Sequence, residues 1–263
     1  MIKNFSVFYV GNIDMEDVGL DGIPANDRRY KNERLVQSME TAEKAAILMD
    51  ELGYYALWMA EHHFQREGYE CILNVILLST HLAAKTEKLK FGCGFNIVPM
   101  WHPLRLAEDY AMADVLTRGR MIFGVGRGYH SREVETFGSP VIDNDLNREL
   151  FEEQIEVILK AFNSESFSHH GKNYSIPAPV PYRGYDLEEI TLVPKPVNLP
   201  VETWQPIVSG GSIDFIARNG FKGLVALTGE KLVDEVFHRF RDACSENGRG
   251  NVLGSNLALG IGF

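Results

Sequence analysis

The chain is poor in cysteine and has no long apolar run. Cys71, Cys93 and Cys244 are the three cysteines of 263 residues, widely spaced and without a CxxC pair. That pattern excludes a disulfide framework and a zinc ribbon; free thiols in a reducing cytoplasm are expected. No stretch approaches the roughly 18 apolar residues of a membrane span, and the opening MIKNFSVFYV lacks the layout of a signal peptide. Basic residues are also in deficit, 26 Lys and Arg against 36 Asp and Glu, for a net charge of −10. Such a surface argues against nucleic acid or an anionic membrane as the main partner. Internal repeats, low-complexity tracts and composition shifts are absent too, so residues 1–263 read as one domain.

What is present is alternation. FSVFYV, YALWMA, LKFGCGF, RMIFGVG, PIVS, GLVAL and NLALGIGF read as seven β-rich apolar runs. Six amphipathic stretches stand between them. In the first, Leu35, Met39, Ala42, Ala46 and Met49 recur at helical spacing, with Gly53 at its C-terminal end. In the fourth, Leu150, Ile155, Ile158 and Leu159 lie on one side. Residues 163–205 interrupt the alternation with most of the prolines and several aromatics, which fits a cap or hairpin insertion. Strict β–α alternation means a parallel sheet covered by helices, either a doubly wound open sheet or a (β/α)₈ barrel. The seventh strand runs into Phe263, so a full barrel lacks its eighth strand, and a shortened chain is expected.

Four motifs carry chemistry. AEHHF ends the second strand with Glu61, His62 and His63. Metal ligation, acid–base work and a plain polar strand end all fit those residue types. Adjacent side chains of an extended chain point to opposite faces, which argues against one ion taking both histidines, and no metal is expected. At a βα mouth His62 is the natural acid–base candidate, with His63 turned the other way. FGVGRGY follows the fourth strand with G-x-G-x-G spacing, which does not match the dinucleotide fingerprint G-x-G-x-x-G. Its glycines, Gly128 included, permit close backbone approach, and Arg127 offers a cation for an anionic ligand; an ordinary tight turn fits as well. In VSGGSIDFIA, Ser209, Gly210 and Gly211 lead to Ser212 at an expected helix N-cap, an order that suits an anion. Arg148, early in the fourth helix, could complete a phosphate clamp with Arg127.

Together these stretches resemble the bacterial luciferase-like, flavin-dependent monooxygenases. AEHHF (60–64), the block from Pro99 to Tyr129 containing HPLRLAEDYAMADVLTRGRMIFGVGRGY, HHGKNYSIP, VPKPV and PIVSGGS carry the resemblance along nearly the whole chain. It implies an FMN-binding (β/α)₈ TIM barrel, usually dimeric, that uses reduced flavin and O₂. His62 then matches the active-site histidine and Glu61 the acid preceding it. Gly94 and Phe95 match a non-proline cis bond under the isoalloxazine ring. Arg127 and Arg148 match arginines near the flavin phosphate, and Gly210, Gly211 and Ser212 the phosphate turn. Gly126 stands where luciferase carries a reactive cysteine, so a non-luminous member is implied.

The implied activity is oxygenation of a small organic substrate through a flavin C4a-peroxide, with reduced FMN supplied by a separate flavin reductase. Tyr182, Tyr185 and Trp204 are candidates for an apolar lid, or for ordinary packing. Two alternatives keep the fold: F420-dependent hydride transfer, and a non-catalytic flavin-binding protein or fragment. The apolar helix CILNVILLSTHLAA is compatible with a homodimer interface.

Overall fold

The computed structural model of the chain describes residues 2–15, 22–24, 27–226 and 229–261. Seven strands follow one another along its main sheet in chain order: β1 (Ser6–Tyr9), β2 (Ala56–Met59), β3 (Lys90–Cys93), β4 (Met121–Gly126), β5 (Thr203–Pro206), β6 (Lys222–Ala226) and β7 (Leu257–Gly260), with the two-residue strand Asn96–Ile97 joined to β4 beside them. Each pairs in parallel with the next, and the sheet curls into a nearly closed barrel with β1 and β7 at its edges. Six long helices cover it: α1 (Gln37–Leu52), α2 (Val75–Ala83), α3 (Pro103–Leu116), α4 (Asn144–Asn163), α5 (Gly210–Asn219) and α6 (Glu230–Glu246). The barrel expectation holds and the doubly wound alternative does not. The expected ends of the sixth and seventh strands, Leu227, Gly262 and Phe263, lie outside the described residues. No helix among the described residues is long and apolar enough to cross a membrane.

Strand alternation sorts the core into two layers. Leu57 and Met59 of β2, with Phe91, Cys93, Met121, Phe123 and Val125, face the helices. Ala56, Trp58, Ile122 and Trp204 face inward and fill the barrel, with Trp204 edge-on to Trp58 at a 5.5 Å centroid distance. Burial on both faces is why these strands are apolar throughout rather than alternating. Helix α1 buries Ala42, Ala46 and Met49 as its spacing predicts, and Gly53 closes it in the left-handed conformation (φ 76°). Helix α4 buries Phe151, Ile155, Ile158 and Phe162. Its stripe is therefore centred one position away from Leu150 and Leu159, which are half-buried.

Two boundaries differ from the sequence reading. The fifth strand is Thr203–Pro206, not residues 206–209: Thr203 and Trp204 pair with Phe123 and Gly124, and Pro206 pairs with Leu224. Pro206 has no N–H to donate and suits a strand end, so the ladder needed the residues before it. Trp204 is consequently a barrel-interior residue and not part of a lid. Tyr182 and Tyr185 face each other across the short hairpin of Pro181–Tyr182 with Tyr185–Asp186, and both are exposed.

Asp50, near the end of α1, ties the helix layer to β3. Its carboxylate accepts from the N–H groups of Glu87, Lys88 and Leu89 at 2.6–2.8 Å. Burial pushes this carboxyl up, but the three donors and the charge of Arg120 outweigh it and hold it below the usual range. Because the folded state depresses the acid, its contribution is complete above the unfolded pKa of about 4 and fades as pH falls through the lower folded value. Asp50→Ala is expected to cost about 2 kcal/mol in urea denaturation at neutral pH. The difference from the parent chain should shrink as the pH is lowered below about 4.

Candidate active site at the mouth of the barrel

The segments that follow β2, β3, β4 and β5 meet at the C-terminal ends of the strands, where barrels of this kind keep their chemistry. After β2 the chain stays extended, and its side chains alternate as expected. Glu61 and His63 turn one way, with His63 Nε2 3.4 Å from Glu61 Oε1. His62 turns the other way. Its Nδ1 lies 3.2 and 3.3 Å from the two oxygens of Glu133, and its Nε2 lies 3.3 Å from Glu70 Oε1.

Glu61 is 2% exposed and fully engaged. It accepts from the Ile97 N–H at 2.6 Å and from the Trp101 indole at 2.9 Å, besides facing His63. A carboxylate held by that many donors fixes the 96–101 segment.

Glu133 is the buried partner of the His62 ring. It sits on a single-turn helix after β4 (Ser131–Val134), is 2% exposed, and also accepts from Gln65 at 2.9 Å. Burial raises its carboxyl, yet the hydrogen bonds from His62 and Gln65 and the His62 charge leave it below the usual range. Around the other edge of the imidazole stand Tyr129, at 5.8 Å between ring centroids, and His130, at 5.2 Å. His130 Nε2 is 3.5 Å from Glu70 Oε2. Burial, followed by the charges of Glu70 and Glu133, pushes the Tyr129 phenol up to about 12, so it stays protonated at neutral pH. Sequence reading did not single out Glu70, His130 and Glu133. The signal lay in YHSRE (129–133), directly after the glycine motif, where a histidine and an acid follow a strand end.

The glycines of FGVGRGY serve the protein's own backbone. A Cβ on Gly124 would stand 1.6 Å from the carbonyl oxygen of Cys93, and one on Gly128 (φ 80°) 2.6 Å from Val134. They let β4 close against the segment after β3, where Asn96–Ile97 pairs with Val125–Gly126. That segment contains the cis peptide between Gly94 and Phe95 that the family resemblance implies.

Arg127 and Arg148 form a second, cationic part of the mouth. Arg127 donates to the carbonyl and side-chain oxygens of Asn144 at 3.3 and 3.0 Å, and no carboxylate bonds it among the described residues. Burial, and then the like charge of Arg148, lower its guanidinium from the ordinary value. Two neighbouring cations without a bonded acid suit an anion. The Gly-Gly-Ser turn differs in detail from expectation: Ser209, not Ser212, is the N-cap of α5. Ser212 takes the third helical position: its N–H donates to Ser209 Oγ and its own Oγ accepts from the Ser209 N–H, a capping box. The N–H groups of Gly210 and Gly211 lie in the first turn, before any intrahelical acceptor is available. The Arg239 guanidinium of α6 packs onto Gly210, 2.4 Å from where a Cβ would be, which adds a cation that sequence reading missed. Helices α4 and α5, which start at this face, pack through Phe151 and Phe215.

Residues 23–259 match the family model of luciferase-like monooxygenases. The oxygenase component of a flavin-dependent trigonelline monooxygenase from Acinetobacter baylyi is 27% identical over 202 residues, 76% of this chain and 52% of that protein. Among solved structures, the monooxygenase RslO1 from Streptomyces bottropensis superposes with a TM-score of 0.76 at 21% identity, over 98% of this chain and 70% of that one. The oxygenating constituent of 3,6-diketocamphane monooxygenase from Pseudomonas putida, in complex with FMN, gives 0.73 at 21%, over 88% and 62%. The chain spans between about a third and three fifths of the curated relatives it matches first.

Proposed function

This chain belongs to the luciferase-like monooxygenase family, and on that premise we propose that it is the oxygenating component of a flavin-dependent monooxygenase. The observation that carries the reading is the His62 ring, held between Glu133 and Glu70 at the mouth of β2. Reduced FMN, when bound, supplies the O₂ chemistry. The residues present suit it. The adjacent Arg127 and Arg148, with the first turn of α5, offer cations and N–H donors for its phosphate. The cis Gly94–Phe95 segment, at the end of β3, offers a backbone face for its ring.

The chain's own groups then have distinct tasks. Glu133 accepts from Nδ1 and fixes the His62 tautomer and ring plane, which leaves Nε2 to hold or pass a proton. Glu61 acts as a positioning residue through Ile97 and Trp101. A cavity of about 480 Å³ lined by Gln65, Glu67, Tyr69, Glu70, Tyr129, His130 and Arg132 adjoins His62, and its polar lining favours a substrate with hydrogen-bonding groups. A separate reductase would supply the reduced flavin. A homodimer would cover the exposed apolar residues of α2 and α3, among them Leu77, Met112 and Leu116; a strict monomer in light scattering would refute that part.

The test is to offer the purified chain FMN and F420 side by side, then to follow O₂ uptake with pre-reduced FMN. Binding of FMN with protein-dependent O₂ consumption and product supports the proposal. Preference for F420 without O₂ uptake would replace it with hydride transfer. Tight FMN binding without turnover would indicate a storage protein.

A further inference from the structure

His62 faces a carboxylate at each ring nitrogen, and a second histidine converges on one of them. With Nδ1 toward Glu133, the ring turns Nε2 toward the Glu70 carboxylate at 3.3 Å. Either a proton on Nε2 or a metal ion can join the two there, and the surrounding groups favour an ion. His130 brings a third donor atom to the same place, with Nε2 3.5 Å from the other Glu70 oxygen. One ligand atom from each of His62, Glu70 and His130 lies within 4.8 Å of the others. A tetrahedral zinc site with bonds of about 2.0–2.1 Å has ligand–ligand edges of about 3.4 Å; the two measured separations, 3.3 and 3.5 Å, run to different oxygens of Glu70, so a small turn of that carboxylate would bring one oxygen to both histidines.

We propose that His62, Glu70 and His130 bind a divalent transition-metal ion of the zinc class. The donor set is two imidazoles and one carboxylate, which suits zinc and cobalt better than calcium or magnesium. Glu133 supplies the outer carboxylate that orients a metal-bound histidine through its other ring nitrogen. The fourth position opens on the cavity that Glu70, Tyr129 and His130 line. This is a different trio from the adjacent histidines weighed from sequence: His63 stays with Glu61 and takes no part. The site does not depend on a flavin. One consequence rests on the proposed function: a metal on Nε2 removes the proton position of His62, so zinc should inhibit oxygenation.

The test is a Co²⁺ titration of the full chain, free of flavin, read by the visible absorption of four-coordinate cobalt. One saturable equivalent, displaced by Zn²⁺, is expected. Glu70→Gln and His130→Ala should each weaken it at least tenfold, and Glu133→Gln about tenfold or more, whereas His63→Ala should not change it. Circular dichroism of each variant confirms that it is folded, and His130→Gln serves if the alanine variant is not. No cobalt spectrum, or a spectrum unmoved by Glu70→Gln and His130→Gln in folded protein, would overturn the site. Cobalt binding with oxygenation indifferent to zinc would uphold the site and count against the acid–base role of His62 instead.

Discussion

His62→Ala is expected to lower product formation about a hundredfold or more, the range for a single acid–base group, while FMN affinity changes by no more than a few-fold. The split follows from where the ring sits. His62 is anchored by Glu133 on one side and faces Glu70 and the cavity on the other, and the cations proposed for the phosphate belong to other segments. Glu133→Gln should give a milder loss. An amide still bonds the ring but no longer offers a carboxylate to both the imidazole and Gln65. Single-turnover mixing of reduced, FMN-loaded chain with O₂ and substrate measures both. A His62→Ala chain that makes product at the parent rate would end the acid–base assignment.

The second large effect concerns folding. Gly124→Ala is expected to destabilise the chain by about 4 kcal/mol or more, the range reserved for severe core overpacking. The added methyl would meet the Cys93 carbonyl oxygen at 1.6 Å, its carbon at 2.8 Å and the Phe95 ring at 2.9 Å. Two of those are backbone atoms of a paired strand end, so no rotamer change relieves the clash. Gly250→Ala, with nothing within 4 Å of the new methyl, should stay within about 0.5 kcal/mol. Urea denaturation of the two variants beside the parent chain decides the matter. Equal midpoints would mean that β4 and the Cys93–Asn96 segment are not packed as described.

Particular residues show what was legible in the sequence. The barrel was readable because apolar strands and helices alternate, and helix α1 buries the alanines its spacing names. The opposite facing of His62 and His63 followed from strand geometry alone. The place of β5 was not readable: Pro206 looks like a strand opening, but Thr203 and Trp204 pair with β4 before it. Ser212 looked like a cap because Ser, Gly and Gly all suit one, and only the capping box tells which serine begins the helix. The partners of His62 come from 8 and 71 residues downstream, Glu70 and Glu133, and no local pattern links them. Arg239 reaches Gly210 from the next helix, which is equally invisible in one dimension.

The central proposal is that the mouth of this barrel holds a flavin by its phosphate beside His62. Titrating FMN fluorescence with the purified chain tests it most directly, with Arg127→Gln run in parallel. Saturable quenching is expected in the parent chain, with affinity about tenfold or more weaker in the variant for the lost charge-assisted hydrogen bonds. No quenching, or equal affinity in both proteins, would contradict it.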